Sequence, residues 1–397
     1  MAAIKAMDHV WYVGVQDPQL RVFDIIMHSD YGTSYNAYLV KGEEKTVLFE
    51  TVKEKFHDQF FANLREVCDP AEIDYIVVDH TEPDHTGSME KLLEAAPNAT
   101  VLGSNGAIMF LKDIVNHPFP SRVVTEKDEI DLGGLTLKFL SVPLLHWPDS
   151  MYTWIPEIGA LFTCDSFGCH YADERVFNDL IEGDFTEAYK YYFDNIMGPF
   201  KRPYMVNALK KIEDLDVKFV GNGHGPVLRQ DVQKYFEMYR AWCQPEERAV
   251  KQVAIAYVSA YGYTRMLAEA IRGGLQEGGV ETQLFDLVTD DNAAAKAAVA
   301  EADGFLLGSP TLVGDALPPV YEMLIGLNPI IHKGKFAGAF GSYGWSGEAV
   351  PNLTARMQQL KLAMPLEGMR VRFKPTEQDL ENARQYGRDF AQAVLGK

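Results

Sequence analysis

Val77-Val78-Asp79-His80-Thr81-Glu82-Pro83-Asp84-His85-Thr86-Gly87 is the stretch on which the reading of this chain turns. The apolar run leading into it, Tyr75-Ile76-Val77-Val78, has the length and composition of a buried strand, and residues 88–95 beyond it carry a helical pattern. Between them lies a polar loop with two histidines and three carboxylates. A non-periodic loop need not splay alternate residues to opposite faces. The H-x-E-x-D-H spacing therefore lets His80, Glu82, Asp84 and His85 converge on one small volume. Imidazole nitrogen and carboxylate oxygen together suit a divalent transition metal. Any one of these side chains alone reads as a solvated loop residue; the set, directly after a buried strand, reads as a metal site.

Three more candidates sit at strand ends downstream. His146 lies in Leu144-Leu145-His146-Trp147-Pro148-Asp149, after a strand ending at Val142, and Asp165 follows Leu161-Phe162-Thr163-Cys164. His224 occupies the glycine-rich turn Gly221-Asn222-Gly223-His224-Gly225-Pro226, where missing side chains leave room for a close ligand. A strand-end Asp is ordinarily a turn residue, so none of the three is decisive alone. Together with the first loop they make seven ligands, too many for one transition ion and suited to two with a bridging carboxylate. Asp165 is the expected bridge.

At 397 residues the chain exceeds one typical core, so two domains are expected. The apolar and charged fractions are those of a soluble globular protein. No apolar run approaches membrane-spanning length, and the first eight residues lack a secretory apolar core, which points to the cytoplasm. The four cysteines, Cys68, Cys164, Cys169 and Cys243, form no C-x-x-C pair. That argues against a zinc ribbon, a rubredoxin-type iron centre or a disulfide scaffold within the chain. A formal charge of −19 argues against nucleic acid or an anionic membrane as partner.

Along the chain, β-branched and aromatic runs at 9–15, 22–26, 35–40 and 46–49 read as strands, the last two flanking a hairpin turn at 41–44. Residues 53–67 have helical periodicity. Further strands are expected at 101–103, 130–142 (with a hairpin turn at 131–135), 159–163 and 218–220. Residues 185–215 read as helix broken near Gly198-Pro199 and Pro203, and 231–243 as another helix. This mixture predicts an α+β sandwich. The boundary is placed near 247–251, giving domains 1–249 and 250–397. From residue 252 strands and helices alternate: 253–258, 264–277, 281–286, 293–301, 304–307, 319–325, 335–340 and 349–361. That order predicts a doubly wound parallel α/β sheet.

Such a sheet binds cofactors beyond the carboxyl ends of its strands. The first loop there is Ser259-Ala260-Tyr261-Gly262-Tyr263-Thr264-Arg265, whose hydroxyls and free N–H groups at a helix start suit a phosphate. It matches neither the dinucleotide G-x-G-x-x-G nor a Walker loop. The second, 308–314, presents Ser309, Pro310, Thr311 and Leu312. The third is Gly341-Ser342-Tyr343-Gly344-Trp345-Ser346-Gly347, aromatic rings beside glycines. A phosphate loop with an aromatic wall describes an FMN site.

The metal-ligand spacing resembles the metallo-β-lactamase fold, whose hydrolases usually carry H-x-H-x-D-H; here Glu82 replaces the second His. A carboxylate there is a harder donor and favours iron over zinc. Over essentially its whole length the chain resembles the flavodiiron proteins, which join a metallo-β-lactamase-like αββα diiron domain to a flavodoxin-like FMN domain. That resemblance implies His80, Glu82 and His146 on one iron, Asp84, His85 and His224 on the other, and Asp165 bridging. It implies reduction of O2 to water, of NO to nitrous oxide, or both, with electrons from rubredoxin or a similar donor protein passing through FMN. It also implies a head-to-tail homodimer, or a dimer of dimers; His28 and Tyr192 are candidates for groups just outside the ligands, with a purely structural role for both as the favoured alternative. The family's first flavin loop commonly reads S/T-x-Y-G-N-T, and Tyr263 stands at the Asn position. A zinc hydrolase fused to a flavodoxin module is the rival reading, and Glu82 argues against it.

Overall fold

The structure, a computed structural model, describes residues 2–24, 27–244 and 249–396. Residues 25–26 of the expected strand at 22–26, and 247–248 of the expected boundary, lie outside them. The chain divides into two compact units, Met1–Pro245 and Glu246–Lys397.

The first unit is an αββα sandwich. One sheet runs in the order Ile4–Met7, Val10–Tyr12, Tyr38–Lys41, Thr46–Phe49, Tyr75–Val78, Thr100–Gly103, Ser121–Val123. The other runs Glu129–Asp131, Thr136–Ser141, Met151–Ile155, Ala160–Cys164, Phe219–Asn222. Period-two alternation points Tyr38 and Val40, Val47 and Phe49, and Leu137 and Phe139 into one shared core. Phe49 of one sheet stacks on Phe162 of the other, with ring centroids 3.8 Å apart. Every residue of Met151–Ile155 and Ala160–Cys164 is buried, because helices cover the outer face of these strands: Phe167, just past Ala160–Cys164, packs on Phe236 and Tyr239 of the helix Val232–Trp242.

Two expectations are corrected here. The single strand expected over 9–15 is interrupted: Val10–Tyr12 stays in the large sheet, while Val15–Asp17 leaves to pair with Thr33–Tyr35. The crossing is tight, since a Cβ on Gly14 would stand 2.4 Å from the Tyr35 carbonyl oxygen. The H-x-E-x-D-H segment is not wholly irregular either. Pro83–Thr86 forms one helical turn, with Pro83 at the first position, where its missing N–H costs nothing.

The second unit is a five-stranded parallel sheet in the order Glu281–Asp286, Gln252–Tyr257, Gly304–Gly308, Phe336–Tyr343, Met369–Arg372. Numbered along the chain this is 2-1-3-4-5, the flavodoxin-like winding. Two clusters of buried side chains, one per face, hold helices on both sides. The winding order reverses between Gln252–Tyr257 and Gly304–Gly308, which lie parallel, so a crevice opens beyond their carboxyl ends. The strand expected to end at 340 runs on to Tyr343, so Gly341, Ser342 and Tyr343 belong to the strand end and only Gly344–Gly347 to the loop.

Candidate metal centre and flavin pocket

Strand ends deliver the side chains of the first site. Tyr75–Val78 stops because the next two amides, Asp79 N–H and His80 N–H, donate to Glu50 Oε1 at 2.8 and 3.2 Å. The helical turn Pro83–Thr86 then swings Asp84 and His85 back over the same point, and the His85 carbonyl is held by Thr51, through Oγ1 and backbone N–H, each at 2.7 Å. Cys164 ends its strand at φ +47°, a left-handed turn that aims Asp165 inward, and Gly223 leads His224 out of Phe219–Asn222.

All seven expected ligands meet there, in two groups. His80, Glu82, His146 and Asp165 offer donor atoms within 4.8 Å of one another, and so do Asp84, His85 and His224. In the first group Glu82 Oε2 lies 3.2 Å from His80 Nε2 and 3.0 Å from His146 Nε2. Asp165 Oδ2 lies 3.4 and 3.2 Å from the same two nitrogens. Asp165 Oδ1 faces the other group, 3.1 Å from His85 Nε2 and 3.3 Å from His224 Nε2. Asp84 completes that group at 3.5 Å from His85 and 3.2 Å from His224. Metal–ligand bonds of roughly 2.0–2.2 Å at octahedral angles put neighbouring donors about 3 Å apart. The observed spacing is therefore that of two coordination shells sharing one carboxylate.

Electrostatics agree. Three carboxylates are packed among four imidazoles, and the buried Asp84 faces His85 and His224 with no cation of Lys or Arg beside it among the described ion pairs. Burial opposes charge on His146 and His224, yet hydrogen bonds to Asp165 and Glu82, and to Asp165 and Asp84, carry their pKa values up to about 9 and about 10. Burial likewise raises Asp165, but His85, His146 and His224 outweigh it and hold it well below the usual carboxylate range. The cluster thus calls for positive charge, which protons supply in its absence and two cations would supply in full. Nitrogen with carboxylate oxygen fits non-haem iron.

Several neighbours carried no clear sequence signal. Asp149, fully buried, sets Oδ2 at 3.3 Å from His80 Nδ1 and accepts the Thr81 amide and hydroxyl, both at 2.8 Å. Nδ1 of His224 lies 2.6 Å from the Ser34 carbonyl. These partners fix which ring nitrogen faces the centre. Buried His170 bonds Thr33 Oγ1 at 2.9 Å and packs on Tyr192 and His224. Tyr192 lies 6.1 Å from the His224 ring, and its phenol is kept protonated by burial. His28 is exposed on the ribbon formed by Val22–Phe23 and Met27–His28. Asp24 was not foreseen: burial, then the adjacent Glu82 and Asp84 carboxylates, push its pKa up to about 6.

In the second unit the three expected loops line the mouth of the crevice. The helix Tyr263–Glu277 starts from Gly262 at φ +82°, and its first-turn amides have no intrahelical acceptor. Ser259 Oγ accepts the Arg265 amide at 3.2 Å, and Thr264 Oγ1 meets Ser342 Oγ at 3.0 Å, tying the first loop to the third. The second loop is tied to the third as well: Thr311 N–H donates to the Ser342 carbonyl at 3.1 Å. A Cβ on Gly341 would stand 1.9 Å from the Ser309 carbonyl, so only glycine fits there. At the loop tips Tyr261, Val313 and Trp345 are 81, 106 and 96 % exposed. Apolar side chains left so bare around a phosphate-type helix start suit a flat aromatic cofactor. Pro310 and Gly347 are buried behind them, while Ala260 and Ser346 face solvent.

Comparison with known proteins agrees with both halves. Residues 33–225 match the ODP family beta lactamase model and residues 255–387 the flavodoxin model. The chain is 40 % identical to a flavo-diiron protein of Clostridium acetobutylicum, over 99 % of this chain and all of that one. It is 36 % identical to a nitric oxide reductase of Moorella thermoacetica, over 98 % of each. It superposes on rubredoxin oxygen:oxidoreductase from Desulfovibrio gigas with TM-score 0.71, 28 % identity and 99 % coverage of both chains. The two-shell centre, the flavodoxin-like winding and the full-length identity to these relatives lead to one conclusion: the chain belongs to the flavodiiron protein family.

Proposed function

We propose that this chain takes electrons from rubredoxin or a similar donor protein and reduces O2 to water, NO to nitrous oxide, or both. As a flavodiiron protein it is an oxidoreductase that uses FMN and a non-haem diiron centre. Bound in place, FMN supplies one-electron relay, and the irons supply the position where the gas accepts electrons. In this reading His80, Glu82 and His146 would hold one iron and Asp84, His85 and His224 the other, with Asp165 available to both. The observation that carries the assignment is the division of Asp165, Oδ1 to one group and Oδ2 to the other. Residues 259–264, 309–312 and 341–347 would hold the flavin, the first set offering hydroxyls and helix-start amides to its phosphate and the loop tips an apolar aromatic wall.

The chain's own groups have definable tasks. Asp149 and the Ser34 carbonyl hold His80 and His224 with Nε2 inward. Phe23, Tyr35 and Tyr192 wall the His224 side against bulk water. Among the described residues no helix is long and apolar enough to cross a membrane. The reading places the chain in the cytoplasm, divided into domains 1–249 and 250–397, as a head-to-tail homodimer or a dimer of such dimers. The name of the Moorella thermoacetica relative supports NO as substrate, and that of the Desulfovibrio gigas protein supports O2 and rubredoxin. Metal analysis of purified protein is the first test: about two irons per chain agrees, and zinc in their place favours a hydrolase.

A further inference from the structure

We propose that the centre contains a second, sulfur-bearing ligand set, His85, Cys164 and Asp165, which captures a thiophilic divalent ion such as Cd2+ or Zn2+. The inference rests on the reading of His85 and Asp165 as metal ligands. It goes beyond that reading because Cys164 belongs to neither iron shell.

The three residues are buried, and their donor atoms lie within 4.8 Å of one another. Cys164 is the residue immediately before the bridge, and its left-handed φ of +47° sets its direction. Gly223 keeps the space between ring and sulfur clear. A Cβ there would stand 2.7 Å from His85 Cε1 and 3.3 Å from Cys164 Sγ, with its backbone N–H held 2.6 Å from the Cys164 carbonyl. Among the described residues the buried His85 Nδ1 meets no hydrogen-bond partner, in contrast to His80 Nδ1, which Asp149 holds. Nε2 of the same ring lies 3.1 Å from Asp165 Oδ1, so two of the three donors already stand side by side.

Ligand preference follows from softness. Thiolate draws Zn2+ and its heavier congener, whereas carboxylate and imidazole without sulfur suit iron. Bonds of about 2.3 Å to sulfur and 2.0–2.1 Å to nitrogen put those two donors about 3.5 Å apart at tetrahedral angles, inside the 4.8 Å within which the three donor atoms lie. On binding, the Sγ–H bond breaks, a metal–sulfur bond forms and the proton passes to the buffer; nothing is oxidised or reduced. Because His85 and Asp165 are shared, an ion held this way displaces whatever occupies the Asp84–His85–His224 position.

The test uses the full-length protein, stripped of metal by chelation and titrated with Cd2+. Bound metal is counted, and the ultraviolet difference spectrum against metal-free protein is recorded. We expect a thiolate-to-Cd2+ charge-transfer band that grows with the first equivalent, is absent from C164S and persists in C169S. Uptake of Fe2+ by C164S verifies that the variant is folded. Stoichiometric Cd2+ uptake without the band in the unaltered protein overturns the inference and leaves the iron centre standing, as does a band that survives in C164S. Failure to take up either Cd2+ or Fe2+ overturns both.

Discussion

Asp149 Oδ2 stands 3.3 Å behind His80, on the ring nitrogen opposite the one that faces Glu82 and Asp165. A carboxylate in that place fixes the imidazole tautomer and makes the ring a better donor. Asp149→Asn keeps the shape but weakens the acceptor and removes the charge. We expect iron affinity at the His80 position to fall about 10–100-fold, read by chelator competition, with the His85 side retained. Equal loss at both positions would contradict the separation of the two shells.

Asp165 is the one side chain shared by both groups. Asp165→Asn keeps its size but removes the second anionic oxygen. Metal content is expected to drop from about two ions per chain to one or none, with loss of any spectroscopic coupling between them. Asp84→Asn, which touches one group only, is expected to spare the other.

Phe49 and Phe162 stack across the two sheets of the first unit. Truncating a buried aromatic costs about 3–5 kcal/mol, through lost burial and the cavity left behind. Phe162→Ala is therefore expected to lower the unfolding free energy of the first unit by that amount, read from its denaturant transition, while FMN binding in the second is unchanged. Simultaneous loss of flavin would show the two units to unfold as one.

In the second unit Trp345 and Tyr261 are bare apolar rings at the loop tips. A well-oriented aromatic pair is worth about 0.5–1.5 kcal/mol beyond burial. Trp345→Ala is accordingly expected to weaken FMN binding roughly tenfold, measured by flavin fluorescence. Gly341→Ala should do more, because its Cβ collides with the Ser309 carbonyl and pushes two loops apart.

That the seven candidate side chains would converge was legible because strand ends concentrate chemistry: a hydrophobic run followed by His, Asp or Glu marks a place where side chains leave the sheet together. What surrounds them was not. Asp149, Thr33 and His170 reach the centre from separate elements, and nothing in their local sequence distinguishes them from turn or core residues. Asp24 became visible only once folding brought Glu82 and Asp84 against it. The doubly wound parallel class of the second domain is legible from simple alternation, but its strand order is not, and the edge strand Met369–Arg372 carries no expectation. Its final helix, Glu377–Leu395, went unmarked although Thr376 and Asp379 form a capping box at its start. The strand Met151–Ile155 was missed for a different reason: buried on both faces, it shows no alternation to read.

The most direct test of the account follows gas uptake. Protein loaded with FMN and iron is supplied with a reduced rubredoxin-type donor, and O2 and NO consumption are followed by electrode in separate runs. The account expects rapid uptake of at least one gas, abolished by Asp165→Asn. No uptake of either gas by protein holding both cofactors, with flavin that the donor visibly reduces, would contradict it.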